Sequence, residues 1–184
     1  TNIYRAVILV PTIALLEQWK KECFKFNFKN VITVSSKEKW SNNLAFFNTA
    51  NKLFNASFIV IVTYSSFSRP KFKSHFNQLP DETLLIADEV HNMGAPNISK
   101  LLTGINLIKR IGLSATPNRK YDMVGNLAIN DFFNDSVPYV YEYSMKQALE
   151  VGWLSKYKYY PHIVYLTPEE LIQYIKISKQ LLAF

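Results

Sequence analysis

Short apolar runs, each stopped by a polar or proline-containing cluster, alternate along this chain with stretches whose apolar residues recur at helical spacing. Tyr4 to Val10 is the first such run and reads as a buried strand; Pro11 stops it and Thr12 suits a helix cap. Leu15, Leu16, Trp19, Cys23 and Phe26 then recur on one helical face, predicting an amphipathic helix over Ile13 to Phe26. Val31 to Val34 and Phe58 to Val62 are further strands, and the mixed pattern of Lys37 to Phe54 between them predicts helix with a polar loop. The strand Phe58 to Val62 ends at Thr63-Tyr64-Ser65-Ser66. A helix or loop then leads to the turn Pro80-Asp81-Glu82. After Thr83, the four apolar residues Leu84 to Ala87 run straight into Asp88-Glu89-Val90-His91.

Gly94-Ala95-Pro96 breaks the chain, and Asn97 is placed to cap a short helix that buries Ile98, Leu101 and Leu102 and stops at Gly104. Leu107 to Leu113 predicts a strand that delivers Ser114-Ala115-Thr116-Pro117. A polar, less periodic segment follows to Asp135, then a late strand over Tyr139 to Tyr143. Ser144-Met145-Lys146-Gln147 is a capping box, and Gly152 ends its helix. Tyr157 to Leu166 alternates like an exposed strand or linker. Thr167-Pro168-Glu169-Glu170 opens a helix with Leu171, Tyr174, Ile175, Ser178, Leu181 and Leu182 on one face.

Strands alternating with helices predict an α/β fold, a mostly parallel sheet with helices on both faces. Right-handed crossovers would bring the C-terminal ends of the strands to one edge. That edge would collect Pro11-Thr12, Thr63-Tyr64-Ser65, Asp88 to His91 and Ser114 to Pro117. Open α/β sheets bind ligands at this edge.

Composition narrows the classes. At 184 residues with 48% apolar content, the chain is one domain or one domain plus a piece of another. Lysine and arginine exceed acids by 21 − 14 = 7, a balance compatible with a polyanionic partner and equally with a solvated lysine-rich surface. The single cysteine, Cys23, leaves no internal disulfide framework and fits a reducing compartment, so a cytoplasmic location is expected. One cysteine and three widely spaced histidines disfavour zinc. No apolar run has membrane-spanning length, and no signal peptide is visible. The chain opens at Thr1 without a methionine and ends at Phe184 with an apolar helix face still running, so it is expected to be a piece of something longer.

Asp88 and Glu89 are the candidate chemistry. Adjacent carboxylates at a strand end point different ways, so one can face a metal and the other a water near it. Asp88-Glu89-Val90-His91 resembles the DExH box of superfamily 2 helicases and translocases, and Ser114-Ala115-Thr116, within Gly112 to Pro117, resembles their motif III. Leu9-Val10-Pro11-Thr12 with Leu15-Leu16-x-Gln18-Trp19 is similar to motif Ia. Ile61-Val62-Thr63-Tyr64 is similar to the segment between Ia and the box. Tyr141 to Ser144, with Ala148 to Leu154, resembles the end of the first motor domain in the type III restriction-subunit and repair-translocase branch. The order and spacing of these motifs cover most of Arg5 to Leu166.

The resemblance implies a RecA-like nucleotide-hydrolase sheet that uses ATP and magnesium on nucleic acid, DNA favoured over RNA. It implies that Asp88 holds the magnesium of Mg-ATP through water, that Glu89 polarises the attacking water, and that His91 links the nucleotide site to motif III and a second motor domain. Ser114, Ala115 and Thr116 would couple hydrolysis to strand movement. Pro11, Thr12, Thr63 and Tyr64 would contact the phosphodiester backbone. Residues 1–155 would be the first motor domain, and 156–184 a strand and helix leading toward the second. One departure is large. The phosphate loop Gly-x-x-x-x-Gly-Lys-Ser/Thr is absent, and none of the lysines follows a glycine. The expectation is that this loop precedes Thr1 in a longer parent. Two rivals remain: a non-catalytic nucleic-acid or protein-binding module with a degenerate motor fold, and a magnesium-dependent nuclease or phosphohydrolase, which would need further carboxylates near Asp88 and Glu89.

Overall fold

A computed structural model describes residues 3–37 and 39–181. The chain divides into two compact units, Thr1–Val140 and Tyr141–Phe184. In the first unit, β1 (Arg5–Val10), β2 (Val31–Val34), β3 (Phe58–Thr63), β4 (Leu84–Asp88) and β5 (Arg110–Leu113) form one sheet in the order β2-β3-β1-β4-β5, with every pairing parallel. The fold class expected from the alternation of strands and helices is the one observed. Strands whose both faces are covered read as continuous apolar runs, and all six residues of β3 are buried.

Period-two alternation splits the strand side chains between two layers. Ile8, Val10, Ile59 and Ile61 face α1 (Ile13–Lys25), which packs Leu16 and Cys23 against them. Val7, Leu9, Val60, Val62, Leu85 and Ala87 face the other way. There they meet Leu44 of α2 (Ser41–Phe54), Phe67 of α3 (Tyr64–Phe67), Phe72 and Phe76 of α4 (Pro70–Phe76), Ile98 and Leu102 of α5 (Pro96–Leu102), and Ile129 and Phe132 of α6 (Met123–Phe133). Each fully buried aliphatic or aromatic side chain of this kind stabilises the fold by about 1.5–3 kcal/mol.

Four local readings are corrected. The segment predicted as polar and aperiodic contains α6, capped by Asp122, whose carboxylate accepts from the Gly125 N–H at 2.8 Å. The strand expected from Leu107 begins only at Arg110. The carbonyls of Ile105 and Leu107 accept from the Arg110 guanidinium at 2.9 and 2.6 Å, which draws that stretch out of the ladder. Tyr139 to Tyr143 forms no strand: Val140, Tyr141 and Tyr143 are exposed, and the segment pairs with no strand among the described residues. The short helix after Gly94 is capped by Ala95, not Asn97, because Pro96 takes the first helical position.

In the second unit, α7 (Met145–Glu150) starts on the expected capping box between Ser144 and Gln147. Residues 155–167 have no regular structure. The helix α8 (Pro168–Leu181) buries none of its residues. Its expected contributor Leu182 lies outside the described residues. Among the described residues, no helix is long and apolar enough to cross a membrane.

Candidate active site

Strand register places the polar strand ends side by side. Val10 pairs with Thr63, Leu9 with Ala87, and Asp88 with Leu113. Ser114 therefore emerges next to the Asp88–Glu89 step. Asp88 is the last residue of β4, and Val90–Gly94 forms a 3-10 helix directly after it. Glu89, the residue between, has φ 50° and ψ 57°, in the left-handed region. A side-chain-bearing residue there costs on the order of 1 kcal/mol and persists only where its surroundings hold it. The sharp turn aims the two carboxylates differently.

Asp88 is held by α1. Its Oδ2 accepts from Trp19 Nε1 at 2.8 Å, and its Oδ1 accepts from the Glu89 N–H at 3.0 Å. Its backbone carbonyl accepts from Tyr64 Oη at 2.9 Å. Burial, then the nearby charges of Asp88 and Glu89, push the Tyr64 phenol well above its ordinary pKa, so it stays a donor. Glu89 looks toward β5: Ser114 Oγ donates to Glu89 Oε2 at 3.3 Å, and His91 Nδ1 lies 3.4 Å from the same oxygen. His91 Nδ1 is also 3.3 Å from Ser114 Oγ, which accepts from the Thr116 N–H at 3.1 Å. Arg119 closes the back of this turn. Its Nη1 donates to the His91 carbonyl at 3.0 Å, and its Nε to Asp122 at 2.6 Å. That guanidinium, with the Gly125 N–H, holds the Asp122 carboxyl below the usual carboxylate range.

Asp88, Glu89, His91 and Ser114 are thus brought together. Ala115 and Thr116 are exposed beside them, Thr116 contributing its backbone N–H. Pro11 is half-buried, and the exposed Thr12 caps α1 by accepting from the Leu15 N–H at 3.2 Å. Thr63 and Tyr64 are buried, at 4% and 7% exposure, and their hydroxyls are engaged within the chain. Thr63 Oγ1 caps α3 and bonds the hydroxyls of Ser65 and Ser66. Trp19, Asn92 and Arg119 were not foreseen as site residues. Only Trp19 carried a signal, an indole N–H on the helix that follows a strand end. Among the described residues, no group of three or more histidine, cysteine or acidic side chains is disposed to hold a metal.

Residues 1–119 match the family described as Type III restriction enzyme, res subunit. The chain belongs to this family. A similar curated protein is the DNA 3'-5' translocase XPB2 of Sulfurisphaera tokodaii, 29% identical over 182 residues, which are 97% of this chain and 35% of that protein. The chain therefore spans about a third of the length of this curated relative. Its fold is similar to that of a nuclease-deletion mutant of the Type ISP restriction-modification enzyme LlaGI, solved in complex with a DNA substrate mimic. The likeness has a TM-score of 0.57 at 18% identity and covers 83% of this chain and 16% of that one.

Proposed function

We propose that this chain is part of an ATP-driven DNA translocase or helicase and supplies the hydrolytic end of its nucleotide site. The single observation that carries the reading is the arrangement at the adjoining ends of β4 and β5. Two carboxylates diverge at a strained turn, and one of them shares a hydrogen-bonding cluster with His91 and Ser114. Res-subunit membership and the likeness to a translocase support the same reading.

Asp88 fits magnesium. It offers one carboxylate held in place by two N–H donors, and magnesium is commonly bound by one or two carboxylates with water and substrate phosphates completing its shell. The ion would neutralise charge on the transferred phosphoryl group. Glu89 orients the attacking water. His91 and Ser114 tie Glu89 to the end of β5, so that a shift of motif III alters its carboxylate. Pro11 and Thr12 meet the phosphodiester backbone from the surface of the same edge. Thr63 and Tyr64 shape that edge from beneath. Phosphate contacts of this kind position the protein without reading sequence. Residues 1–155 serve as the first motor domain and 156–184 lead toward a second. The phosphate loop that this sequence lacks would come from elsewhere in the parent chain, where it would cradle the phosphates with backbone N–H groups.

In the whole protein, Glu89→Gln is expected to lower DNA-stimulated ATP hydrolysis at least ~100-fold while nucleotide binding persists. Unchanged turnover would remove Glu89 from its role. The isolated 184-residue chain is expected to bind ATP weakly and hydrolyse essentially none; brisk magnesium-dependent turnover by it would overturn the division of labour. A binding module without catalysis would be indicated by a parent protein that lacks a phosphate loop altogether.

A further inference from the structure

Asn92 follows His91 directly and has no part in the reading above. Its side-chain Nδ2 donates to the Glu89 carbonyl at 2.9 Å and lies 3.4 Å from His91 Nε2. A carbonyl oxygen only accepts, so the atom facing it is the amide nitrogen, and His91 Nε2 therefore meets a donor. The opposite ring nitrogen tells the same story. Nδ1 lies 3.3 Å from Ser114 Oγ and 3.4 Å from Glu89 Oε2. The Ser114 proton is directed to Glu89, and the hydroxyl already accepts from the Thr116 N–H. A hydroxyl has one proton and two lone pairs. Ser114 thus has a lone pair to give His91 and no second proton. Both ends of the ring call for neutral His91 to carry its hydrogen on Nδ1 and to accept at Nε2.

The same residue secures Glu89. The Glu89 carbonyl accepts from both the backbone N–H and the side-chain amide of Asn92, each at 2.9 Å. Those bonds fall on the one residue of the box whose backbone is left-handed.

We propose that Asn92 is a positioning residue: its amide clamps the strained Glu89 peptide and selects the His91 tautomer that presents Nδ1–H to Glu89 and Ser114. Only the catalytic consequence rests on the reading of Glu89 as the residue that orients water. The tautomer does not, and it is read without nucleotide.

Ring-nitrogen chemical shifts of the labelled 184-residue chain, read on the neutral imidazole at alkaline pH, report which His91 nitrogen is protonated, with His91→Gln assigning the signals. The wild type is expected to show Nδ1–H. The near-isosteric Asn92→Asp, which places an acceptor at Nε2, is expected to move the proton to Nε2. An Nε2–H wild type, or an Asn92→Asp chain that keeps Nδ1–H, overturns the clamp. In the whole protein, Asn92→Asp and Asn92→Ala are expected to lower kcat about tenfold, in the range typical for partners that orient functional side chains, with KM for ATP within about twofold. Unchanged kcat in both, where Glu89→Gln abolishes turnover, overturns the positioning role. Where the tautomer moves as stated but the wild-type whole protein hydrolyses no ATP, the motor reading fails and the clamp stands. Asn92→Asp carries the test if Asn92→Ala does not fold.

Discussion

Single residues at the C-terminal edge of this sheet serve the core and the site at once. Tyr64 is the clearest case. It is buried, its hydroxyl holds the carbonyl of Asp88, and its phenol is pushed above the ordinary range by burial and by two neighbouring carboxylates. The folded state therefore keeps the phenolic proton at pH values where the unfolded chain loses it. Stability from this group is fully present below the unfolded value near pH 10 and falls as pH rises above it, by at most ~1.4 kcal/mol per pH unit. Tyr64→Phe is expected to shed that part of the alkaline slope. It is also expected to cost about 1 kcal/mol at neutral pH from the carbonyl left without its donor. Urea unfolding of both chains between pH 8 and pH 11 checks both effects; parallel slopes would mean that Tyr64 ionises as freely folded as unfolded. The candidate site was legible at this scale only in part. Asp88, Glu89, His91 and Ser114 could be named because residue type and spacing carry them. The left-handed Glu89 backbone and the Asn92 bonds could not, since nothing in Asp-Glu-Val-His-Asn marks which peptide is strained or which amide hydrogen points where.

Among the elements, the turn after β4 and the helix α6 depend on each other through two glycines. A Cβ on Gly94 would sit 2.9 Å from the Gly125 carbonyl oxygen, and one on Gly125 would sit 2.7 Å from the Gly94 carbonyl oxygen. Backbone cannot retreat from such a contact without separating the elements. Gly125→Ala is expected to destabilise the chain by about 1–3 kcal/mol, in the range for overpacked sites, measured by chemical unfolding. A change under 0.5 kcal/mol would show that α6 is free to move away, because surface-like substitutions stay within that range. The element α6 escaped the sequence reading for a related reason. Gly125, Asn126, Asn130 and Asp131 break up the apolar pattern of its sequence and are poor helix formers. Its start is set by short-range side-chain bonds: the Asp122 cap on the Gly125 N–H, Arg119 to Asp122, and Asn126 to the Arg119 backbone. β1 and β3 were legible as nearly unbroken apolar runs because they are the most deeply buried strands of the sheet, whereas Ile111 and Leu113 of the edge strand β5 are exposed. The misread strand at Tyr139 to Tyr143 had the aromatic and β-branched residues of a strand without a neighbour to pair with, and pairing is not written in a single segment.

For the whole molecule, the division into two units and the excess of seven positive charges matter most. Residues 155–167 have no regular structure, are exposed throughout and contain Lys156 and Lys158. Exposed segments without regular structure are where proteases cut first. Brief trypsin treatment is expected to cleave after these two lysines before any site in the sheet, giving one large fragment ending there by mass spectrometry; first cleavage within β1 to β5 would contradict the described order. The bond from Trp19 to Asp88 has a further consequence. One of the three tryptophans of the chain has its indole N–H on the carboxylate proposed to face magnesium. Indole emission depends on the field around the ring. A cation settling against Asp88 would alter that field, so the protein carries its own optical gauge of the site, readable without a label once Trp40 and Trp153 are silenced.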